Sequence, residues 1–430
     1  METSDLIILL ILLGCMATNI PVALCLLFTS IVGFFCFSDF PILLLFQTLF
    51  RGLDNFALVV VLFFILCGNI MTAGTIVEKL IKVANSLVSW LPGGLGMAGV
   101  IACGLFGAIS GSTVATVVAL GGFMIPALIE NGYPEKYTLG IMTTSPNLGV
   151  IIPPSIGMIL YSSISNVSLK GLFASGFVPG FLIMFALSIY TYFYFRKDKK
   201  IVRQPVPNAK EVLKILKESS WSLMLPIIIF GGIFSGVFTA NEAAVVACVY
   251  AFFVEFFIHK SIKIKDIKKI TINSAITSAS LLIIVTCATA FGRYLTLSNI
   301  PGRITEAVLE TVQSPAIFLL VINFLFLIVG MFIDIISATM ILGPVCLPML
   351  SAFNIDPLHF GLILTVNLAI GYCTPPMGVS LYITGAIAKR NIIYVSKAVI
   401  PFLIIQIAVL FIITYMPDLV LFLPRLMGAV

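Results

Sequence analysis

The chain is poor in charge. Asp, Glu, Lys and Arg make up only 10% of its 430 residues, where a soluble domain carries about 25%, and no separate soluble domain fits between the apolar runs. Histidine is scarcer still, with His259 and His359 alone. Neither stands in an HExxH pattern, and GxSxG and the P-loop pattern are also missing. Metal-assisted or nucleophilic hydrolysis therefore finds little support, and neither does direct drive by ATP. Energy for any work would come from an ion gradient or another subunit. The nine cysteines lie inside apolar runs and form no CxxC pair, which reads them as small buried packing residues, not metal ligands or disulfide partners.

What remains is hydrocarbon. Apolar residues reach 60% and the mean hydropathy is +1.17. Apolar stretches of roughly 17–30 residues recur from end to end, each long enough to cross ~30 Å of lipid at about 1.5 Å per residue. The expected class is an all-α polytopic membrane protein. The first run, 6–35, follows Glu2 and Asp5 with no basic flank, so it is expected to stay as structure and not to be cleaved as a signal peptide.

Two runs break themselves with proline pairs: SPNLGVIIPPSI at 145–156 and NLAIGYCTPPMG at 367–378. Proline inside a helix removes a donor and clashes with the preceding turn, which costs about 3 kcal/mol, so a repeated break implies a purpose. The two pairs lie 222 positions apart, and the same spacing relates Gly149 to Gly371, Pro126 to Pro348, Asn19 to Asn241, Gly14 to Gly236, and Phe34-Phe35 to Phe256-Phe257. Internal symmetry of this kind marks two halves of one ancestral unit, as in many transporters. Each half parses alike: two short spans within 5–36 and two within 221–258, one span at 56–80 and 272–298, a Gly- and Pro-interrupted region at 95–128 and 317–350, the Pro-Pro helix at 137–165 and 358–388, and a last span at 172–195 and 396–424. If the interrupted region is a re-entrant hairpin, each half crosses five times and the second half is inverted.

Charge supports that topology. It places loops 79–94, 129–136, 196–218, 259–271 and 389–397 on one side, and these hold 19 of the 24 Lys and Arg. By the positive-inside rule they are cytoplasmic, leaving both termini outside. The linker at 196–220 has an amphipathic end in which Val212, Leu213 and Ile215 alternate with Lys214 and Lys217, as expected of a segment near anionic headgroups.

Non-helical backbone at membrane depth is tolerated only where protein or a water-filled cavity surrounds it. There it exposes helix N-termini that favour anions and free carbonyls that coordinate sodium. Gly149 with Pro153-Pro154, and Gly371 with Pro375-Pro376, are the candidate openings. The interrupted regions add GAISGSTVAT at 107–116, with hydroxyls at Ser110, Ser112 and Thr113, and GMFIDIISAT at 330–339, where the 222 spacing sets Asp334 against Ser112. Asp334 is the only carboxylate at the expected depth of a re-entrant turn. It reads as a ligand for a hard cation, as the cap of a half-helix, or as both. Small residues here would also serve close helix packing. Arg293 reads as a side chain snorkelling to the interface or facing an organic anion.

The blocks NIPVAL, LPGGLGMAGVIACGLFGAISGSTVAT, LGVIIPPSI, FTANEAA, GMFIDIISATMILGPVCLPML, IDPLHFGLI and GYCTPPMGVSLY together resemble the large membrane subunit of tripartite ATP-independent periplasmic (TRAP) transporters over nearly the whole length. Leu62 stands where that family often has Pro, and FTANEAA where FTPTEA is common.

The resemblance implies a sodium-coupled importer of an organic acid such as sialic acid or a C4-dicarboxylate, with a slight lean to sialic acid. It implies an elevator motion in the bacterial inner membrane, with scaffold spans in 1–55 and 221–271 and hairpin-bearing parts in 56–195 and 272–430. It also implies a small four-helix membrane subunit, a periplasmic substrate-binding protein and about two sodium ions. By position, Gly107, Ser110, Ser112, Asn147 and Gly149 would form one sodium site, and Gly330, Asp334, Gly371 and Thr374 the other. The substrate carboxylate would lie near Ser112, Ser155, Thr339, Pro154 and Pro376. The competing readings are a stand-alone divalent-anion/sodium symporter and a non-transporting membrane scaffold.

Overall fold

The computed structural model describes residues 3–18, 20–54, 57–197, 201 and 205–429. Glu2, the Asn19 member of one 222-spaced pair, and the linker residues Lys199, Lys200 and Arg203 lie outside the described residues. The described residues are helical and contain no strand.

The first half opens with α1 (Thr3–Ala17), α2 (Val22–Cys36), α3 (Ile42–Leu53), α4 (Ala57–Ala73) and α5 (Ile76–Val88). Two arms follow: α6 (Gly94–Ser110), then α7 (Thr113–Thr116) running through a π-turn into α8 (Gly122–Glu130). The Pro-Pro region gives α9 (Glu135–Thr144), α10 (Leu148–Ile151) and α11 (Ile156–Ser165), and α12 (Leu169–Phe195) closes the half. The linker carries α13 (Ala209–Glu218).

The second half repeats the order with α14 (Ser220–Ser235), α15 (Ala240–Phe253), α16 (Ile264–Leu297) and α17 (Ile300–Thr311). Its arms are α18 (Pro315–Phe332) and α19 (Ile335–Ala352), its Pro-Pro region α20 (Pro357–Gly371) and α21 (Val379–Ala388), and its end α22 (Ile392–Tyr415) and α23 (Pro417–Leu426). Among the described residues, eight helical segments are long and apolar enough to cross a membrane, and the protein is an all-α, multi-pass membrane protein.

Several boundaries differ from the sequence reading, each for a local reason. Within 5–36 the two short spans expected are there, as α1 and α2 parted at Pro21, and it is the later bounds that shift. The span expected at 56–80 stops at Ala73, after which Gly74 and Thr75 leave the helix and α5 begins afresh. The span expected at 272–298 starts at Ile264, and α16 is unbroken over the stretch that α3 and α4 divide between them in the first half. The last span ends at Tyr415, where Pro417 starts α23.

Conserving hydrogen bonds at helix ends explains two of the sequence blocks. In FTANEAA, Thr239 and Glu242 form a capping box: the Glu242 N–H donates to Thr239 Oγ1 at 3.3 Å and the Thr239 N–H to Glu242 Oε2 at 2.8 Å. In IDPLHFGLI, Asp356 caps α20, accepting the Leu358 N–H at 2.7 Å, while Pro357 takes the first position where no donor is needed. The helix so started is buried on every side, and α16 and α18 present far more of their surface outward. The core therefore gathers around the two Pro-Pro regions. The arms pack directly on it, α6 against α10 and α18 against α20.

Candidate functional site

The first arm pair turns at Gly111. Its φ of +60° is a left-handed conformation that glycine adopts without a Cβ penalty. Ser112 then caps α7, with its Oγ accepting the Ala115 N–H at 3.3 Å. Thr116 Oγ1 donates to the Ser112 carbonyl at 2.7 Å and lies 3.3 Å from Ser110 Oγ. Beneath this turn α6 and α10 touch through backbone alone: a Cβ on Gly107 would fall 2.3 Å from Gly149 Cα, and one on Gly149 would fall 2.6 Å from Thr116 Oγ1. The structure thus gathers Gly107, Ser110, Ser112 and Gly149 into one cluster, and adds Thr116, which the sequence reading missed. Its signal was present, since Thr116 stands one helical turn beyond Ser112 in the same block.

Asn147 is held otherwise. Its Nδ2 donates to Gln406 Oε1 on α22 at 2.9 Å and its Oδ1 accepts from Cys373 Sγ at 3.2 Å. Gln406 Nε2 in turn donates to the Thr144 carbonyl at 2.9 Å. This buried network joins the two Pro-Pro regions to each other. Cys373 and Gln406 have no sequence pattern that would reveal it.

The second arm pair turns at Ile333–Asp334 and follows the same plan. Asp334 caps α19 by accepting the Ser337 N–H at 2.9 Å, and it also accepts from the Ser337 hydroxyl. Ser112 bonds the N–H three residues ahead of it, and so does Asp334, so the 222-spaced partners play one backbone role. Gly330 and Gly371 form the matching close approach, where a Cβ on Gly371 would lie 2.6 Å from the Gly330 backbone. Thr374 Oγ1 donates to the Ile370 carbonyl at 2.8 Å.

The two turns face one another. A cavity of about 50 Å³ lies between them, lined by Ser112 and Thr113 of the first, Ile335 and Ile336 of the second, and Ile156 and Tyr372 of the Pro-Pro regions. Tyr372 OH accepts the Ile335 N–H at 3.4 Å, and Gly111 approaches the Pro154 carbonyl so closely that a Cβ would lie 2.6 Å from that oxygen. The hydroxyls of Ser155, Thr339 and Thr113 are buried without a hydrogen-bond partner among the described residues. Buried polar groups are ordinarily paired, so these three are free to receive a bound group. Pro376 does not join them: it is exposed, whereas Pro154 is buried, and of the residues expected to meet the substrate only Ser112 lines the cavity itself. Arg293 is exposed on α16 and does not line the cavity.

The donor set consists of hydroxyls, backbone carbonyls and one carboxylate. Hard monovalent or divalent cations suit such oxygens, and soft metals do not. Helix N-termini at Ser112, Ser155 and Asp334 bring positive dipole ends to the same region, where an anion is favoured.

Comparison with known proteins shows the family. Residues 9–419 match the family described as "Tripartite ATP-independent periplasmic transporter, DctM component". The chain is 36% identical to the C4-dicarboxylate TRAP transporter large permease protein DctM of Rhodobacter capsulatus, over 99% of this chain and 100% of that one. It is 33% identical to the sialic acid TRAP transporter large permease protein SiaM of Vibrio cholerae, over 96% of this chain and 97% of that one. Among solved structures, the Alcanivorax borkumensis YdaH transporter superposes with a TM-score of 0.67 over 97% of this chain and 98% of its own, at 14% identity, a likeness of fold alone.

Proposed function

The chain belongs to the DctM-component family of tripartite ATP-independent periplasmic transporters, a family of transport permeases and not of enzymes, and from that premise we propose that it imports an organic acid by sodium symport. Sodium and acid would bind together where the two turns meet, and the hairpin-bearing parts would carry them across in an elevator motion against the scaffold spans. In this reading the halves are inverted repeats and both termini are periplasmic. A small four-helix membrane subunit completes the membrane part, and a periplasmic binding protein delivers the substrate. Sialic acid and C4-dicarboxylates are the two candidate acids, since the relatives named above carry one or the other.

The observation that carries the reading is the pair of capped turns across one cavity, with the unpartnered hydroxyl of Thr113 in its lining. One sodium ion would use the oxygens around Gly107, Ser110, Ser112, Asn147 and Gly149, and the other those around Gly330, Asp334, Gly371 and Thr374. The carboxylate of the substrate would meet the N-termini and hydroxyls of Ser155 and Thr339. Asp334 would both cap α19 and face sodium, because two hydrogen bonds to its oxygens leave lone pairs unused.

The test is uptake of labelled sialic acid and labelled C4-dicarboxylates into proteoliposomes holding this chain and its small subunit, with and without binding protein and a sodium gradient. Uptake that needs both additions supports the proposal. Uptake without binding protein would assign the chain to the stand-alone symporters, and no uptake of any acid would leave the scaffold reading.

A further inference from the structure

One buried carboxylate lies outside the cavity lining. Glu255 sits in the π-turn that follows α15, is fully buried, and is surrounded by donors. Its Oε1 accepts the backbone N–H groups of Thr75 at 2.8 Å and Ile76 at 2.7 Å. Its Oε2 accepts from Thr75 Oγ1 at 3.3 Å and from the Ser261 hydroxyl, with His259 Nδ1 at 3.3 Å. Gly74 makes room for it: a Cβ there would fall 2.1 Å from Glu255 Cδ.

These contacts replace a local helix cap with a distant one. Thr75 is the N-cap residue of α5, yet its side chain makes no capping bond. The first N–H groups of α5 are instead satisfied by an anion 180 positions further along the chain, and a negative charge at that end also suits the helix dipole. Because its neighbours there donate, Glu255 does not have the mixed oxygen surroundings of a cation site. Continuing along the chain, α5 packs on α6, and α6 leads to the turn at Ser112. Glu255 therefore joins α15 to the arm that carries the first half of the cavity. The joint has no 222-spaced counterpart: Gly33, 222 positions before Glu255, packs on the ring of Tyr294, while α17 is tied by Arg303 to Asp5 in a bidentate pair at 2.8 and 2.6 Å.

We propose that Glu255 is a positioning residue for transport, pinning the N-terminus of α5 to the scaffold helix α15, so that α5 stays with the scaffold, the moving part begins beyond α5 and not at residue 56, and this joint stays closed while the hairpin moves. The inference rests on the elevator reading above. It concerns rate and not affinity, since the joint touches neither sodium nor substrate.

The experiment uses the full chain with its small subunit and binding protein. Amide exchange over residues 74–77 is followed in wild type, with and without sodium and substrate, and in Glu255→Ala and Glu255→Gln, alongside initial uptake rates. The wild-type segment is expected to stay protected in every condition. Glu255→Ala should lose that protection and lower maximal uptake about tenfold, the loss of a charged hydrogen-bonding group, with half-saturating substrate and sodium unchanged. Glu255→Gln, whose amide oxygen still accepts the two N–H groups, should fall between. Exchange that opens in wild type during turnover would overturn the proposal, as would a Glu255 variant that shifts half-saturation and leaves the maximal rate alone. If Glu255→Ala does not assemble, wild type and Glu255→Gln decide. Failure of the proposed sodium symport would show instead as sodium-independent uptake in wild type, with exchange at 74–77 unaltered.

Discussion

The two turns that meet at the cavity have the same backbone plan and different contents. In the first, Ser112 is a neutral cap, the glycine pair below it is in near contact, and the Pro-Pro region from Gly149 to Ser155 is wholly buried. In the second, the cap is the carboxylate of Asp334, Gly330 has more room, and Pro376 and Met377 are exposed. Both proline pairs are cis, so the backbone device is kept in each half. What differs is charge and closure: one half supplies a sealed, neutral set of oxygens, and the other a charged and more open one. Under the proposed function, halves that share geometry without sharing side chains would let one site hold a cation and an anion side by side.

The strongest way to break the comparison is to make the two caps alike in charge. Asparagine caps a helix about as well as aspartate, so Asp334→Asn keeps the local structure and removes only the negative charge. Sodium-driven uptake should fall by tens to about a hundredfold, the range expected when a charged partner is lost, with little change in thermal stability. Uptake that stays normal in Asp334→Asn would make the carboxylate a cap and nothing more, and would erase the main difference between the turns.

Glycine packing gives the next effect. A Cβ on Gly107 would lie 2.3 Å from Gly149 Cα, with backbone on both sides, whereas one on Gly330 would lie 3.1 Å from Gly371 Cα. Gly107→Ala is expected to destabilise the protein by about 1–3 kcal/mol, as overpacking does, and Gly330→Ala by distinctly less. Thermal unfolding of the two purified variants measures the difference, and equal losses would show that the halves are equally tight. Smaller still is Ser112→Ala, which removes one neutral cap worth about 1 kcal/mol. A sodium titration of uptake should shift by only a few fold.

Much of this arrangement was legible in the sequence. The 222 spacing located both turns, and it paired Ser112 with Asp334 before any coordinates, because proline and glycine leave a mark wherever backbone must depart from a helix. The capping reading and the cation reading of Asp334 were both open, and the structure supplies the cap. The Asn147–Cys373–Gln406 network was not legible, since thiols and amides inside apolar helices look the same whether they serve a site or bond a neighbouring carbonyl. Glu255 was hidden for another reason: its partners are backbone N–H groups 180 residues away, and no side-chain pattern records them. The expected helix ends failed where a single residue decided them, at Gly74 and at Pro417.

The smallest effect concerns how the two Pro-Pro regions are tied together outside the core. Arg390, just beyond α21, makes a bidentate pair with Glu135 at the start of α9, at 2.7 and 3.0 Å. The pair joins the outer end of one broken helix to the outer end of the other, as the Asn147 network does from within. Yet the arginine side chain is 52% exposed and the glutamate 28%, and solvent screens such a pair to about 0–1 kcal/mol. Arg390→Gln should therefore lower thermal stability slightly, by an amount that shrinks further in high salt, and should leave uptake nearly unchanged. A large loss of uptake in Arg390→Gln at unchanged stability would mean that the two broken helices are coupled through their exposed ends, and that the buried Asn147 network is not the link that matters.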